Sequence, residues 1–208
     1  MNILLADDHA MMRSGLKLML ADTYQDATFG EAETSQQALD AALAQSWSLI
    51  ILDISMPGRG GLDVLKEIRA QSPKVPVLML SMFGEPQFAE RAFRAGASGY
   101  LTKASAGTEL LIAVERLLSG RRYVSAVLAE HLVAALGDHA NGQLHARLSA
   151  REFEILRLIA SSKTVKEMAY ELSLSSNTIS TYRTRILEKM NLRNNAELIH
   201  YAISNHLV

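Results

Sequence analysis

Residues 2–20 read "NILLADDHAMMRSGLKLML", and the fold turns on how this stretch is understood. Asn2 to Ala6 is a short apolar run of strand length. It stops at two adjacent carboxylates, Asp7 and Asp8, and a helical pattern follows over 9–21. Carboxylates side by side raise each other's cost of ionising. Taken alone, the pair can be a solvated strand-to-helix turn with one Asp capping the helix, or part of a site.

The chain beyond repeats the same unit. "NILLA" (2–6), "ATFGE" (27–31), "SLIILD" (48–53), "PVLMLS" (76–81) and "SGYLT" (98–102) read as strands. Helical periodicity occupies 9–21, 34–45, 61–70, 86–95 and 106–118, with helix starts marked by Ser35-Gln36-Gln37 and Gly60-Gly61. Strand and helix alternating five times predict a doubly wound α/β fold with a five-stranded parallel sheet. "LIILD" and "VLML" show no polar alternation, as expected of central strands buried on both faces.

Ligands of such sheets bind beyond the carboxyl ends of the strands, where strand order reverses. Asp7 and Asp8 end the first predicted strand, Asp53 the third and Ser81 the fourth, and Lys103 follows the fifth. Three carboxylates, a hydroxyl and an ammonium are therefore expected at one edge. Adjacent carboxylates need not repel when a hard cation lies between them, and Mg²⁺ takes oxygen ligands. A carboxylate can also attack phosphorus to form an aspartyl phosphate, with the metal and a Lys neutralising the transferring group.

These residues in their settings, "LDISMPGRGGLDVL", "MLSMFGE" and "AGASGYLTKAS", resemble the receiver domain of two-component response regulators over about residues 1–120. The resemblance implies strand order 2-1-3-4-5 and a role for each residue. Asp53 would accept a phosphoryl group from a phosphohistidine of a sensor histidine kinase. Asp7, Asp8, Asp53 and the Ser55 backbone carbonyl would hold Mg²⁺. Lys103 would pair with a phosphoryl oxygen and Ser81 would hydrogen-bond it. Tyr100 matches the aromatic that moves inward in the active state; as a strand residue alone it reads as a half-buried ring. Ala104 stands where many receivers have Pro, so no cis bond is expected there.

Residues 121–136 read as a short helix, and 137–147, rich in Gly, Asn and His, as the flexible part of a linker spanning 121–147. His139 and His145 have no neighbouring carboxylate or Cys to make a metal site. From Leu148 to 208 the pattern is all helical. Ser149 and Glu152 form a capping box signature, with Leu148 and Phe153 as a staple. Short helices at 164–172 and 176–190 joined by a tight turn describe a helix-turn-helix, and 195–207 adds a fourth helix. Ile179, Ile186 and Met190, with Tyr182 in part, should face inward. Asn177, Thr178, Ser180, Thr181, Arg183, Thr184, Arg185 and Lys189 are left as candidate DNA contacts.

"LSAREFEIL", "VKEMAYELSLSSNTI" and "ILEKMNLRNNAEL" resemble the LuxR-type DNA-binding domain, so the chain resembles the NarL/FixJ class. "SMPGRGGLD", "SGRRYV" and "TYRTRI" add a resemblance to its GacA-like subgroup. The last helix is the usual dimer contact of this family, which nominates Asn195, Leu198, Ile199 and Ala202. Ser180 replaces a frequent Lys, Tyr182 a frequent His and Ser162 a frequent Gly; a side chain at Ser162 is expected to strain a backbone that prefers Gly.

The 208 residues are 49% hydrophobic and 21% charged, without Cys, which excludes disulfides and thiolate chemistry. No secretory leader and no apolar run of membrane-spanning length is seen, so a cytoplasmic protein with no membrane partner is expected. Net charge is −1, but residues 147–208 hold 9 Lys/Arg against 6 Asp/Glu, a +3 excess suited to nucleic acid. A Mg²⁺-dependent phosphatase is the rival reading. Such enzymes need a second carboxylate two residues after the nucleophile, and Ser55 stands there. A vestigial receiver is disfavoured by the full set of acidic, hydroxyl and ammonium groups. The sequence therefore points to a regulator, not an enzyme: phosphorylated on Asp53, dimeric, and bound to double-stranded DNA through helix 176–190.

Overall fold

Every residue of Leu49–Asp53 and Val77–Ser81 is buried. In the computed structural model these are β3 and β4 of a five-stranded parallel sheet. The structure describes all residues except 58, 73, 83–85, 127, 131–143, 173 and 206. The chain divides into two units, Met1–Gly137 and Asp138–Val208.

In the first unit β1 (Asn2–Ala6), β2 (Thr28–Ala32) and β5 (Gly99–Thr102) complete a sheet of order β2-β1-β3-β4-β5, every pair parallel. The strands are linked by α1 (Ala10–Thr23), α2 (Ser35–Ala44), α3 (Gly61–Gln71) and α4 (Pro86–Arg94), and α5 (Ala106–Leu118) follows β5. Order reverses between β1 and β3, so their carboxyl ends lie side by side, with Ala6 level with Leu52. Ile3, Leu5, Leu49, Ile51, Leu78 and Leu80 pack against Leu16 and Leu20 of α1 and Leu110, Val114 and Leu117 of α5. The predicted strands and helices of residues 1–118 match within about two residues.

Three connections differ from expectation. The cap of α1 is His9, not an Asp, and its side chain makes no capping bond. Residues 121–124 are not helical. Gly120 takes φ 77° and turns the chain back, and Tyr123 pairs in parallel with Gly99 along the outer edge of β5. Tyr123 N–H donates to Ser98 O at 3.2 Å, and Tyr100 N–H to Tyr123 O at 3.1 Å. The buried Tyr123 ring points its hydroxyl at Glu109 Oε2, 2.5 Å away. Pairing the open backbone groups of an edge strand outweighs the helical pattern of this stretch. Helical residues occur at 126 and 128–130, and 131–136 lie outside the described residues.

The third difference opens the second unit. Leu144–Arg147 forms a 3₁₀ turn rather than loose linker; the start of that predicted loop, 137–143, including His139, lies outside the described residues. His145 is buried, with Nδ1 2.9 Å from the Tyr201 hydroxyl and its ring 5.6 Å from that of Phe153. Four helices follow: α6 (Ala150–Ala160), α7 (Val165–Glu171), α8 (Ser176–Met190) and α9 (Asn195–Ser204). Ser149 with Glu152 and Thr164 with Glu167 form complete capping boxes, and Ser175 and Asn194 cap α8 and α9. Arg151, buried, reaches Glu154 Oε2 at 2.7 Å and donates to Leu172 O at 3.0 Å, tying α6 to the end of α7. The core joins Phe153, Ile155, Leu156, Met168, Ile179, Ile186 and Met190 with Leu198 and Ala202. No helix among the described residues is long and apolar enough to cross a membrane.

Helix α6 ends in a Schellman motif, with Ser162 N–H on Ile159 O and Lys163 N–H on Leu158 O, both at 3.0 Å. Ser162 sits there at φ 62°, the left-handed position the sequence marked as better suited to Gly. That conformation costs a side-chain-bearing residue about 1–2 kcal/mol, against roughly 0.4–1 kcal/mol for the looser unfolded chain of a Gly variant. Ser162→Gly should therefore stabilise the helical unit by about 0.5–1 kcal/mol, read as a higher urea midpoint. Asn191→Gly, at φ 53°, should change it little, because Asn tolerates this region.

Candidate functional site

The carboxyl ends of β1, β3, β4 and β5 bring the predicted polar residues together. Asp7 is 1% exposed, and Asp53 and Ser81 are 0% exposed. Lys103 reaches in from the β5–α5 turn, its Nζ 2.8 Å from Asp7 Oδ2 and 2.9 Å from Asp53 Oδ2. The backbone locks that turn to β4, since Lys103 N–H donates to Ser81 O at 2.7 Å. Ser55 N–H donates to Asp53 Oδ1 at 3.1 Å. A Cβ on Gly61 would fall 1.9 Å from Asp53 O, so α3 begins flush against the backbone of Asp53 only because Gly stands there. Tyr100, on β5, is fully buried, where its strand position alone suggested a half-buried ring.

Burial and then the neighbouring Asp7 charge push the Asp53 carboxyl up to about 6, against the lowering pull of Lys103 and the Ser55 N–H. Burial draws Lys103 down, but Asp53 and Asp7 outweigh it and leave its ammonium raised. The ammonium therefore stays charged, and the acceptor-like carboxylate is the strained partner.

One ligand atom from each of Asp7, Asp8, His9 and Asp53 lies within 4.8 Å of the others. Asp8 Oδ1 is buried and makes no hydrogen bond, and the buried Asp7 Oδ2 is held by its ion pair with Lys103 at 2.8 Å. A buried carboxylate oxygen such as that of Asp8 is what a divalent cation would complete, so the residues fit one.

Two members of the site were missed from sequence. Arg13 is buried, donates to Asp7 O at 2.7 Å and pairs with Glu33 at 2.5 Å. Its signal was an arginine on the apolar stripe with Leu16 and Leu20. His9 places Nδ1 3.2 Å from Asp7 Oδ1 and 2.7 Å from Asp8 Oδ1. Its signal was a nitrogen donor directly following two carboxylates.

In the second unit α8 buries Ile179, Ile186 and Met190 and leaves Asn177, Ser180, Thr181, Arg183, Thr184 and Arg185 exposed. Thr178 is half-buried, 2.8 Å from the Ser175 hydroxyl. The hydroxyls of Ser180, Thr181 and Thr184 donate back to helix carbonyls, which leaves their oxygens to accept. Lys189 is exposed as well, and its Nζ is 2.7 Å from the buried carboxylate of Glu152. On α9, Leu198 and Ala202 are corrected as dimer residues, because both are 0% exposed within their own unit. Asn195 and Ile199 are half-buried, and Ala196, His200 and Ile203 are exposed beside them.

Comparison with known proteins agrees with both halves. The family described as response regulator receiver domain matches residues 3–115, and bacterial regulatory proteins, luxR family, matches 146–202. Response regulator UvrY of Escherichia coli K12 is 32% identical over 207 residues, covering 99% of this chain and 95% of that protein. Response regulator GacA of Pseudomonas protegens is 32% identical over 206 residues, covering 99% and 97%. The solved RcsB response regulator of Salmonella typhimurium is 29% identical, with 98% of each chain covered and a TM-score of 0.59. A structure of an RcsB–DNA complex is 27% identical, again with 98% of each covered and a TM-score of 0.59. The chain thus belongs to the two-component response regulators of the NarL/FixJ class, DNA-binding transcriptional regulators that join a receiver domain to a LuxR-type domain.

Proposed function

We propose that Asp53 accepts a phosphoryl group from a sensor histidine kinase, and that the phosphorylated protein binds DNA as a dimer through α8. The observation that carries this is the single ammonium of Lys103 set between two buried carboxylates at the open end of the sheet. An Asp53 carboxylate oxygen attacks phosphorus as the bond to the donor imidazole breaks, and the imidazole nitrogen takes the electron pair. Asp53 is oriented for this by Ser55 N–H and by Gly61 behind it. Lys103 moves its charge from carboxylate to phosphoryl oxygen, and the Ser81 hydroxyl bonds the group once formed. Asp7, Asp8, Asp53 and the Ser55 carbonyl would hold Mg²⁺, which when bound neutralises charge on the phosphoryl group. No carboxylate stands at position 55 to protonate other leaving groups, which favours a switch over a phosphatase.

The buried Tyr100 ring shares its strand with Thr102, next to Lys103, which suits a role in reporting the state of the pocket. On α8, Arg183 and Arg185 suit phosphates, and Asn177, Thr178, Ser180, Thr181 and Thr184 suit base edges or sugar-phosphate. For the dimer, Asn195 and Ile199 together with Ala196, His200 and Ile203 form the available face of α9.

Purified protein mixed with sheared genomic DNA, with and without Mg²⁺ and a small phosphoryl donor, tests the whole reading. Donor-dependent recovery of a two-fold-symmetric site is expected, and Asp53→Asn should abolish it. Equal recovery without donor would sink the switch, and no recovery would sink the assignment of α8. On the recovered site, Arg183→Ala and Arg185→Ala should each reduce the slope of log affinity against log salt by about 1. Lys189→Ala should leave that slope unchanged and instead lower the melting temperature, since its partner is Glu152.

The metal-free pocket also sets a pH dependence. Asp53 ionises near 3.8 as an ordinary Asp and near 6 when folded, so the folded state keeps a proton that the unfolded chain has lost. Its contribution is most favourable below the ordinary value and declines as pH rises through about 6. Asp53→Asn should therefore be more stable than wild type above that pH, by about 1–3 kcal/mol, with a flatter stability profile between the two values. Chemical denaturation in chelator across that range reads it directly.

A further inference from the structure

The cation pocket proposed above has a neighbour that its carboxylates do not account for. His9 Nδ1 lies 2.7 Å from Asp8 Oδ1, yet that oxygen is buried without a hydrogen bond. The same nitrogen is 3.2 Å from Asp7 Oδ1. So two carboxylate oxygens lie close to one nitrogen, and one of the two contacts is outside hydrogen-bonding geometry. Adjacent ligands of an octahedral cation with bonds of about 2.1 Å stand about 3 Å apart, which is the spacing seen. The backbone holds the ring in place: His9 caps α1, and its N–H donates to Asp7 Oδ1 at 2.8 Å. The His9 side chain is 65% exposed, so a cation can enter from solvent on its side.

Resting on the cation-pocket reading, we propose that His9 is a further ligand of the divalent cation through Nδ1. The pocket then discriminates toward cations that accept nitrogen, such as Mn²⁺ and Co²⁺, over Mg²⁺. Imidazole suits the transition metals, whereas Mg²⁺ demands oxygen and keeps its waters. Mg²⁺ would be held without the ring, whereas Mn²⁺ or Co²⁺ would take Nδ1 in addition to Asp7, Asp8, Asp53 and the Ser55 carbonyl.

The test uses the full chain, free of affinity tags, and the metals alone. Pulsed electron paramagnetic resonance of bound Mn²⁺ should show ¹⁴N modulation from one imidazole. In His9→Ala and His9→Gln, Mn²⁺ should still bind but the modulation should vanish. By calorimetry, Co²⁺ affinity should fall at least about tenfold in these variants, the scale on which partners of a metal shell act, with Mg²⁺ affinity held within about twofold. Exposed His9 contributes little to the core, and unchanged melting temperatures would show that both variants fold. Mn²⁺ bound without modulation, or with modulation surviving in the His9 variants, overturns the role of His9 while leaving the carboxylate pocket intact, provided Asp8→Asn weakens binding. Absence of Mn²⁺ binding, or binding indifferent to Asp8→Asn and Asp53→Asn, overturns the pocket and the role of His9 with it.

Discussion

Two carboxylates withdrawn from water at the end of a sheet repel each other, and the fold tolerates Asp7 beside Asp53 because one ammonium lies between them. Lys103 sits within 2.9 Å of both. Its reach depends on β5 lying in register beside β4, and on the bond from its own amide to Ser81. The central strands can be wholly apolar because the polar groups are confined to their last residues. The balance is incomplete: Asp53 remains harder to ionise than a solvated Asp. Such a carboxylate is stabilised by a cation placed beside it.

The supports around the pocket act through backbone rather than side-chain partners. Arg13 donates to the carbonyl of Asp7, not its carboxylate, and anchors to Glu33. Gly61 lets α3 start against the carbonyl of Asp53. Both fix where a carboxylate stands while leaving its oxygens to other partners. In the second unit Glu152 has a comparable double duty, since it completes the α6 capping box and receives Lys189 of α8. The helix proposed to meet DNA is thereby braced to the first helix of its own unit.

Legibility in the sequence followed the range of the interactions. Strands β3 and β4 were readable because burial on both faces leaves an unbroken apolar run. The pocket was readable because Asp7, Asp53, Ser81 and Lys103 each fall where a strand ends. Ser162 was readable because the resemblance has a frequent Gly at its position, the residue that a left-handed conformation prefers. The bridge at Tyr123 was not, because a single paired residue has no period. Nor was the place of His145, whose partner Tyr201 is 56 residues away, or that of Lys189, whose partner is 37 away. Leu198 and Ala202 misled because an apolar helical stripe looks the same whether it faces a core or a second protomer.

Tyr123 gives the receiver an attribute of a different kind. It is the first buried residue after α5, and its backbone grips Ser98 and Tyr100, so the departing chain is sewn to the margin of the sheet before it leaves. The chain that follows α5 is therefore fastened to β5 and not to the end of α5 alone. Its point of attachment is the same strand that delivers Lys103 to the pocket, so a sideways slip of that strand would carry Tyr123 with it.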